Sequence, residues 1–415
     1  MPPEEATAQQ GPLSGLRVVE ISSYVATPLC GLTLAQLGAD VVRVEPLGGA
    51  ADRTRWPLAD SGTSLYWSGL NKGKRAVTVD MASEAERRRV VDLIVRGGPC
   101  AVVSNSDRYP EFGYESLSAL RPDVIHALLQ GRADGGAGVD YTVQAASGFP
   151  LITGPAGTDA PVNHVLPAWD IAAGLYLAVG LLAAERDRLV SGRGRSIRVA
   201  LDDVALATAG NLGYLAEAQV TGHERVKSGN DVFGTYGRDF LTADGVRVMV
   251  VILTERHWTK LLAATGLTAV FEGLADTLGI DFSGESQRYE HRELISTLLA
   301  RWFGGVPFTE AAAVLDRHRI LWERYRSFAE LGRDGGAELR KSDLFGVVDQ
   351  PGVGPHLAPK SPVVVDGERP EPRPAPVVGE HNAELLPAAA STAPTVDGPG
   401  DGGGTGSLTA TRRSG

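Results

Sequence analysis

The sequence predicts an α/β fold, in which a large domain with a parallel sheet is followed by a smaller α/β domain. Short apolar runs rich in valine alternate with segments of helical spacing over roughly the first 130 residues. Strands that alternate with helices form parallel sheets covered on both faces. From about residue 229 the pattern changes to a hairpin followed by helices. At 415 residues the chain is long enough for two or three domains.

The first elements are a strand, a helix and a strand, LRVVEIS, TPLCGLTLAQLGA and DVVRVEP, within residues 16–46. The alternation continues with the strand RAVTVDM, a helix over 83–98 that ends at a glycine pair, the strand CAVVSN, a short helix at YESLSAL and the strand VIHALLQ. Because ligands of open α/β sheets meet the loops after the strands, we expect the site there.

Residues 131 to 170 form a long segment rich in Gly, Pro, Asp and Asn, which indicates loops. Loops of this length in compact domains are usually functional. A helix that is apolar on every side is predicted from Ile171, followed by a strand at SIRVALDD and a helix over 204–220.

These patterns divide the chain into five parts. They are a flexible arm at 1–14, the first part of the large domain at 15–228, the small domain at 229–327, an irregular return segment at 328–388 and a disordered low-complexity tail at 389–415.

Composition limits the classes of function. The net charge of −10 argues against nucleic acid and anionic membranes as partners. The two cysteines, Cys30 and Cys100, lack metal-ligand spacing and favour a reducing cytosol. The N-terminus lacks the features of a signal peptide, and the apolar run 171–184 is too short to cross a bilayer. We therefore expect a soluble cytoplasmic protein without a metal site.

Positive charge is concentrated in one segment. Between residues 43 and 75, six Lys or Arg side chains stand against three carboxylates. Such a cluster suits a small polyanion such as a nucleotide pyrophosphate, although a solvated basic face is the more common origin of the pattern. No GxGxxG follows the first strand and the chain has no GxxxxGK[ST] motif, so side chains would have to hold the anion. GxSxG and HExxH are also absent from the sequence.

Asp170 directly precedes the apolar helix. Pro167 disfavours helix at the residue before it, which makes Asp170 the natural N-cap. The helix amides would keep its carboxylate ionised at neutral pH and could stabilise a nearby oxyanion. Carboxylates also form covalent intermediates with electrophiles. From the residues alone the cap is the favoured role, and a nucleophile is the alternative.

Several long blocks resemble the class III CoA-transferase family, in order and over residues 13–388. They are LSGLRVVEISSYVATPLCGLTLAQLGADVVRVEP, LNKGKRAVTVDM, GVDYTVQAASGFPLITG, AWDIAAGLYLAVGLLAAERDRLVSGRGRSIRVALDD and APVVGEHNAELL. The resemblance implies an interlocked homodimer, with a Rossmann-like large domain built from both ends of the chain and the small domain between them. It places the catalytic aspartate of the family on Asp170.

A narrower resemblance lies in RWPLADSGTSLYWSGLNKGKR, GRADGGAGVDYTV, VNHVLPAWDIAAG and YGRDFLTADGVRVMVVILT. It implies CoA transfer between the two carboxyl groups of an unsaturated branched dicarboxylic acid, from 2-methylfumaryl-CoA to 3-methylfumaryl-CoA, with the aspartate as a transient thioester. Racemases of the family carry a histidine where Val139 stands and a glutamate near Thr254, so proton exchange at an α-carbon is disfavoured here. The usual glycine loop before Asp140 is altered to GRADGGAG.

The expected substrate site contains His164, Arg132 and Asp140, the first two as candidates to hold the free carboxylate. For His164 a structural role is the alternative, and for Asp140 it is a turn. The CoA phosphates are expected on the basic segments and the loop after CAVVSN, namely on Arg43, Lys72, Lys74, Arg75, Asn105 and Arg108. No cofactor is expected beyond the CoA of the substrate. Two alternatives are an intermolecular transferase and a non-catalytic acyl-CoA-binding paralogue.

Overall fold

The large sheet is parallel and has the strand order of a doubly wound fold. A computed structural model of the chain describes residues 11–387. Its large sheet contains β1 (Arg17–Ile21), β2 (Asp40–Pro46), β3 (Arg75–Val79), β4 (Cys100–Ser104), β5 (Ile125–Gln130) and β6 (Ser196–Ala200). The order is β3-β2-β1-β4-β5-β6. The order reverses between β1 and β4, and the carboxyl ends of these two strands are where such sheets bind ligands.

Helices cover both faces of this sheet. They are α1 (Ala26–Gln36), α2 (Leu65–Asn71), α3 (Glu84–Val95), α4 (Tyr114–Leu120), α5 (Asp140–Ala146), α6 (Phe149–Ile152), α7 (Ala168–Ser191), α8 (Leu201–Asn211) and α9 (Tyr214–Thr221). One apolar core joins Val18 to Leu34 of α1 and Leu177 of α7. The other joins Val19 to Ile94 of α3. The predicted α/β class and parallel sheet are thereby confirmed.

Helix α7 lies against α1 at a glycine. A Cβ on Gly174 would come within 2.5 Å of the Ala26 carbonyl oxygen, so only glycine permits this approach. Helix α7 has 24 residues and contains an 18-residue window with a mean hydropathy of 1.4, so it is longer than the predicted apolar run and, by length and composition, could cross a membrane. The core helix of a soluble protein passes the same test, and the inner face of α7 packs into the core.

A third apolar core lies within residues 236–322, inside the segment predicted as a small domain. Its antiparallel sheet contains β7 (Tyr236–Leu241), β8 (Arg247–Ile252) and β9 (Leu321–Arg324). Its helices are α10 (Glu255–Thr265), α11 (Thr268–Leu278), α12 (Glu285–Glu290), α13 (Arg292–Gly305) and α14 (Phe308–His318). The predicted hairpin is present as β7 and β8, whereas β9 was missed because four residues carry little local signal.

The chain then returns to the large domain. The remaining elements are α15 (Phe328–Leu331), α16 (Arg333–Gly336), β10 (Phe345–Gln350), β11 (Gly354–Pro359) and α17 (Asn382–Leu385). His381 N–H donates to the Ala76 carbonyl (3.0 Å), and Thr78 N–H donates to Asn382 Oδ1 (2.8 Å), so this segment covers the edge strand β3. The predicted tail at 389–415 and most of the predicted arm lie outside the described residues.

Candidate active site

The residue that caps α7 is Asp140, which is 30 positions away from the residue predicted from the sequence. Asp140 Oδ2 accepts from the N–H groups of Trp169 (2.7 Å) and Asp170 (3.1 Å), and Oδ1 accepts from Gln144 Nε2 (2.6 Å). The predictions that the helix begins at Ile171 and that Asp170 is its cap are wrong. The helix begins at Ala168, and Asp170 lies in its first turn.

The amides at the start of α7 are already used. Ala168 N–H donates to the Leu166 carbonyl (2.8 Å) and Ile171 N–H to the Pro167 carbonyl (3.1 Å), while Asp140 takes the two between them. The terminus of a helix offers four such donors. The expectation that these amides stabilise a reaction oxyanion is therefore not supported, and other donors must serve that purpose.

The Asp170 carboxylate is free to react. Among residues 11–387 no group forms a hydrogen bond or ion pair with its oxygens. The pKa of Asp170 is raised to about 6, because burial and, to a smaller extent, the Asp140 carboxylate raise it more than the Arg55 guanidinium lowers it. This direction is opposite to the sequence prediction, because burial outweighs the helix dipole. At neutral pH the anion still predominates, so a half-buried, unpaired carboxylate lies at the head of the helix.

Arg55 and Tyr66, which interact electrostatically with this carboxylate, and Tyr24, which lies against Arg55, were not among the predicted site residues. The Arg55 guanidinium carbon lies 5.6 Å from the ring centre of Tyr24 and 4.9 Å from that of Tyr66. Burial raises the pKa of Tyr66 to about 12, and the field of Asp170 acts in the same direction. The Tyr66 hydroxyl is buried without a hydrogen-bond partner among the described residues. No signal in the sequence distinguishes Arg55 from the other cations of the basic segment.

The crevice between β1 and β4 carries two of the predicted CoA contacts. Asn105 Nδ2 donates to the Ser23 carbonyl (3.0 Å) and so links the loops that follow β4 and β1. Arg108 is exposed on the same loop, 5.3 Å from the ring centre of Tyr109. Lys72 is largely buried and donates to the Gly69 carbonyl, and burial lowers its pKa to about 8.

Arg43 and Lys74 are corrections to the predicted CoA site, since neither reaches solvent. The Arg43 guanidinium pairs with Glu20 (3.0 Å), Glu45 (3.1 Å) and Asp52 (2.9 Å), and its side chain is 0% exposed. Lys74 Nζ pairs with Glu20 (2.8 Å) and is equally buried. Their charge is neutralised inside the protein, so in this structure neither is available to a phosphate. We call these five residues the buried ion cluster.

Arg75 is also displaced from the predicted site. Its guanidinium pairs with Glu384 and with Asp40, the first residue of β2. It is therefore directed to the amino ends of the strands, whereas ligands of such sheets bind at the carboxyl ends. Arg75 holds the returning chain on the sheet.

The two residues predicted to hold the free carboxylate lie at the edge of this region. His164 is half-buried, and its backbone N–H donates to Gln144 Oε1 (2.8 Å). Because Gln144 also donates to Asp140, His164 belongs to the same hydrogen-bond network as Asp140. Arg132 is exposed, 3.7 Å from an Asp134 oxygen. Neither side chain pairs with Asp170 among the described residues. Within residues 11–387 no group of three or more His, Cys, Asp or Glu side chains could hold a metal ion.

The chain is similar to known proteins over most of its length. The model of the family described as CoA-transferase family III matches residues 13–382. The 2-methylfumaryl-CoA isomerase of Chloroflexus aurantiacus is 44% identical over 381 residues, covering 91% of this chain and 93% of the relative. The succinyl-CoA:mesaconate CoA-transferase of Haloarcula hispanica is 27% identical, covering 91% and 96%. A solved CaiB/BaiF family protein of Brucella suis superposes with a TM-score of 0.72 at 25% identity, covering 90% and 98%.

Proposed function

The chain belongs to CoA-transferase family III, and we propose that it moves CoA between the two carboxyl groups of an unsaturated branched dicarboxylic acid, converting 2-methylfumaryl-CoA into 3-methylfumaryl-CoA. The observation that carries this proposal is the Asp170 carboxylate, which is half-buried and unpaired at the head of α7. The relative named 2-methylfumaryl-CoA isomerase supports the choice of substrate.

In the proposed reaction Asp170 attacks the thioester carbonyl, and CoA leaves as the thiolate. The mixed anhydride that forms is attacked by the thiolate at its aspartyl carbonyl, which gives an aspartyl-CoA thioester and a free dicarboxylate. The other carboxylate of this acid then attacks the thioester and again releases the thiolate. Attack of the thiolate on the acyl carbonyl of the new anhydride yields the isomeric CoA ester and regenerates Asp170.

Retention of the free acid makes the second half of this reaction intramolecular. Held in place, its other carboxylate attacks with an effective concentration far above that of any acid in solution. The reaction exchanges no proton, so it needs neither an acid/base pair nor, in our proposal, any metal or cofactor beyond the CoA of the substrate. This agrees with Val139 and Thr254 of the present chain, since racemases of the family carry a histidine in place of Val139 and a glutamate near Thr254 as their acid/base pair.

We place the CoA moiety in the crevice between β1 and β4. Asn105 and Arg108 lie on the loop after β4, and Arg108 is an exposed cation suited to a phosphate. Lys72, which is largely buried and donates to the Gly69 carbonyl, remains a second candidate cation. This placement replaces Arg43, Lys74 and Arg75.

The proposed assembly is a homodimer in the cytoplasm. The outer face of α7 leaves Tyr176 and Val179 exposed by 53% and 62%, and Val220 of α9 by 84%. Exposed apolar side chains on a helix face are a common feature of interaction sites, and they support this proposal. The two cysteines are free, which agrees with a reducing compartment.

Isotope exchange tests whether the transfer is intramolecular. We expect that 2-methylfumaryl-CoA incubated with the enzyme and ¹³C-labelled free 2-methylfumarate gives 3-methylfumaryl-CoA that carries almost no label, because the freed acid does not leave. Mass spectrometry of the thioesters measures this. Label that enters the thioester as fast as the isomer forms contradicts the intramolecular path and favours transfer between two separate acids.

The fall of kcat/KM at low pH should reflect the protonation of Asp170. Its pKa is raised to about 6, so the nucleophile gains a proton, and kcat/KM falls, as the pH drops through that value. Because the Asp140 carboxylate raises this pKa, Asp140→Asn should move this fall to lower pH while one amide oxygen still accepts from the helix. Steady-state kinetics between pH 4 and 8 test this, and a fall that stays in place would exclude Asp170 as the titrating group.

A further inference from the structure

The loop that carries Arg55 is anchored to the buried ion cluster. Arg55 N–H donates to the Asp52 carbonyl (3.2 Å), and Ser64 Oγ donates to the carbonyl of Arg55. The Asp52 carboxylate is 1% exposed, accepts from Tyr24 N–H (2.9 Å) and pairs with Arg43 (2.9 Å). The backbone of Arg55 is therefore fixed by groups that cannot relax into solvent.

The Arg55 guanidinium has no carboxylate partner among residues 11–387. In contrast, Arg43, Arg53 and Lys74 of the same basic segment each pair with a buried glutamate. Arg55 instead lies over the rings of Tyr24 and Tyr66, which hold a guanidinium through cation–π attraction but leave its N–H groups available. Its side chain is exposed, so a ligand can reach these donors.

This unpaired cation lies 4.9 Å from the ring centre of Tyr66, whose buried hydroxyl also lacks a partner among the described residues. Both side chains interact electrostatically with Asp170, and the field of Arg55 stabilises its anion. A guanidinium and a phenol hydroxyl are therefore neighbours within the electrostatic reach of this carboxylate. Planar N–H donors and a neutral hydroxyl together match a carboxylate ligand.

We propose that Arg55 binds the carboxylate of the substrate that is not esterified to CoA, and that it thereby determines the preference for dicarboxylic over neutral acyl groups. This inference rests on the proposed function. In the starting complex the site holds two negative charges, Asp170 and the free carboxylate. In the aspartyl-CoA stage Asp170 is neutral and the released acid carries both charges. One fixed guanidinium can stabilise the negative charge at both stages without moving, and it can keep the released acid bound.

Binding to a chemically inert protein tests the role of Arg55. In the Asp170→Asn background, calorimetry should show that Arg55→Gln weakens binding of 2-methylfumaryl-CoA about 100-fold, as expected for a lost charge-assisted pair. Binding of crotonyl-CoA, which has no second carboxylate, should change less than about threefold. Arg55→Lys should restore part of the affinity for the first ligand. Arg108→Gln is the matched control, since an exposed cation for CoA should weaken both ligands equally.

The same Arg55 substitutions, made in a protein that keeps Asp170, can be followed through the chemistry. Hydroxylamine traps an aspartyl-CoA thioester as a hydroxamate on Asp170, and we expect Arg55→Gln to slow trapping from 2-methylfumaryl-CoA about 100-fold. An equal loss of binding with both acyl-CoA ligands, or no loss with either, overturns the role of Arg55. If the unaltered enzyme binds 2-methylfumaryl-CoA but never yields a modified Asp170, the proposed function fails instead.

Discussion

Asp170→Asn is expected to lower the isomerisation rate by about 10⁴-fold or more, because an amide cannot take the place of the nucleophile. The substitution should leave the fold intact. The capping bonds from Asp140 reach the backbone N–H groups of Trp169 and Asp170, which the variant keeps. Burial and the Asp140 carboxylate disfavour the charged form of the native Asp170 carboxyl. The variant protein, which carries a neutral side chain there, should therefore unfold at the same temperature as the wild type or at a higher one.

The measurement combines an isomerisation assay with thermal unfolding. Asp140→Asn serves as the control, since it changes the same network yet keeps the nucleophile. An Asp170→Asn protein that retains activity within about tenfold would exclude the covalent mechanism. A wild-type protein that binds acyl-CoA but neither isomerises nor transfers it would support the non-catalytic paralogue.

The strands of the large sheet and several of the helices followed from local periodicity. The five apolar runs before residue 131 correspond to β1 to β5 within one or two residues, because a buried parallel strand needs a continuous apolar run with turns at both ends. The cap of α7 could not be found in this way. Asp170 lies next to the predicted start of the helix and so offered a plausible local cap. Asp140 belongs to α5, and only the tertiary fold brings it to the start of α7.

The distribution of cations shows the same limit. Arg43 and Arg55 belong to one basic segment, yet the first is sealed among carboxylates and the second is exposed beside Asp170. A usable signal was present in DVVRVEP, where Arg43 and Glu45 interrupt a buried strand and so must be paired internally. Nothing comparable marks Arg55, because its position depends on how the loop after β2 returns to the ends of β1 and α7.

Arg43→Met is expected to lower the free energy of unfolding by about 3 to 5 kcal/mol, the largest stability effect we anticipate. The variant leaves the carboxylates of Glu20, Glu45 and Asp52 buried without their common partner. Glu20 still pairs with Lys74 and Glu45 with Arg53, so the loss should lie near the lower end of this range.

Urea unfolding measures this loss, with Arg96→Met as the matched control. Arg96 pairs with Asp92 at the surface, where the two side chains are 78% and 49% exposed, so its replacement should cost at most about 0.5 kcal/mol. Equal effects of the two variants would contradict a stabilising role for the buried ion cluster. Because Asp52 also anchors Tyr24 and the Arg55 loop, any folded Arg43→Met protein should lose affinity for 2-methylfumaryl-CoA more than for crotonyl-CoA. That selective loss distinguishes a displaced Arg55 from general destabilisation, which would weaken both ligands alike.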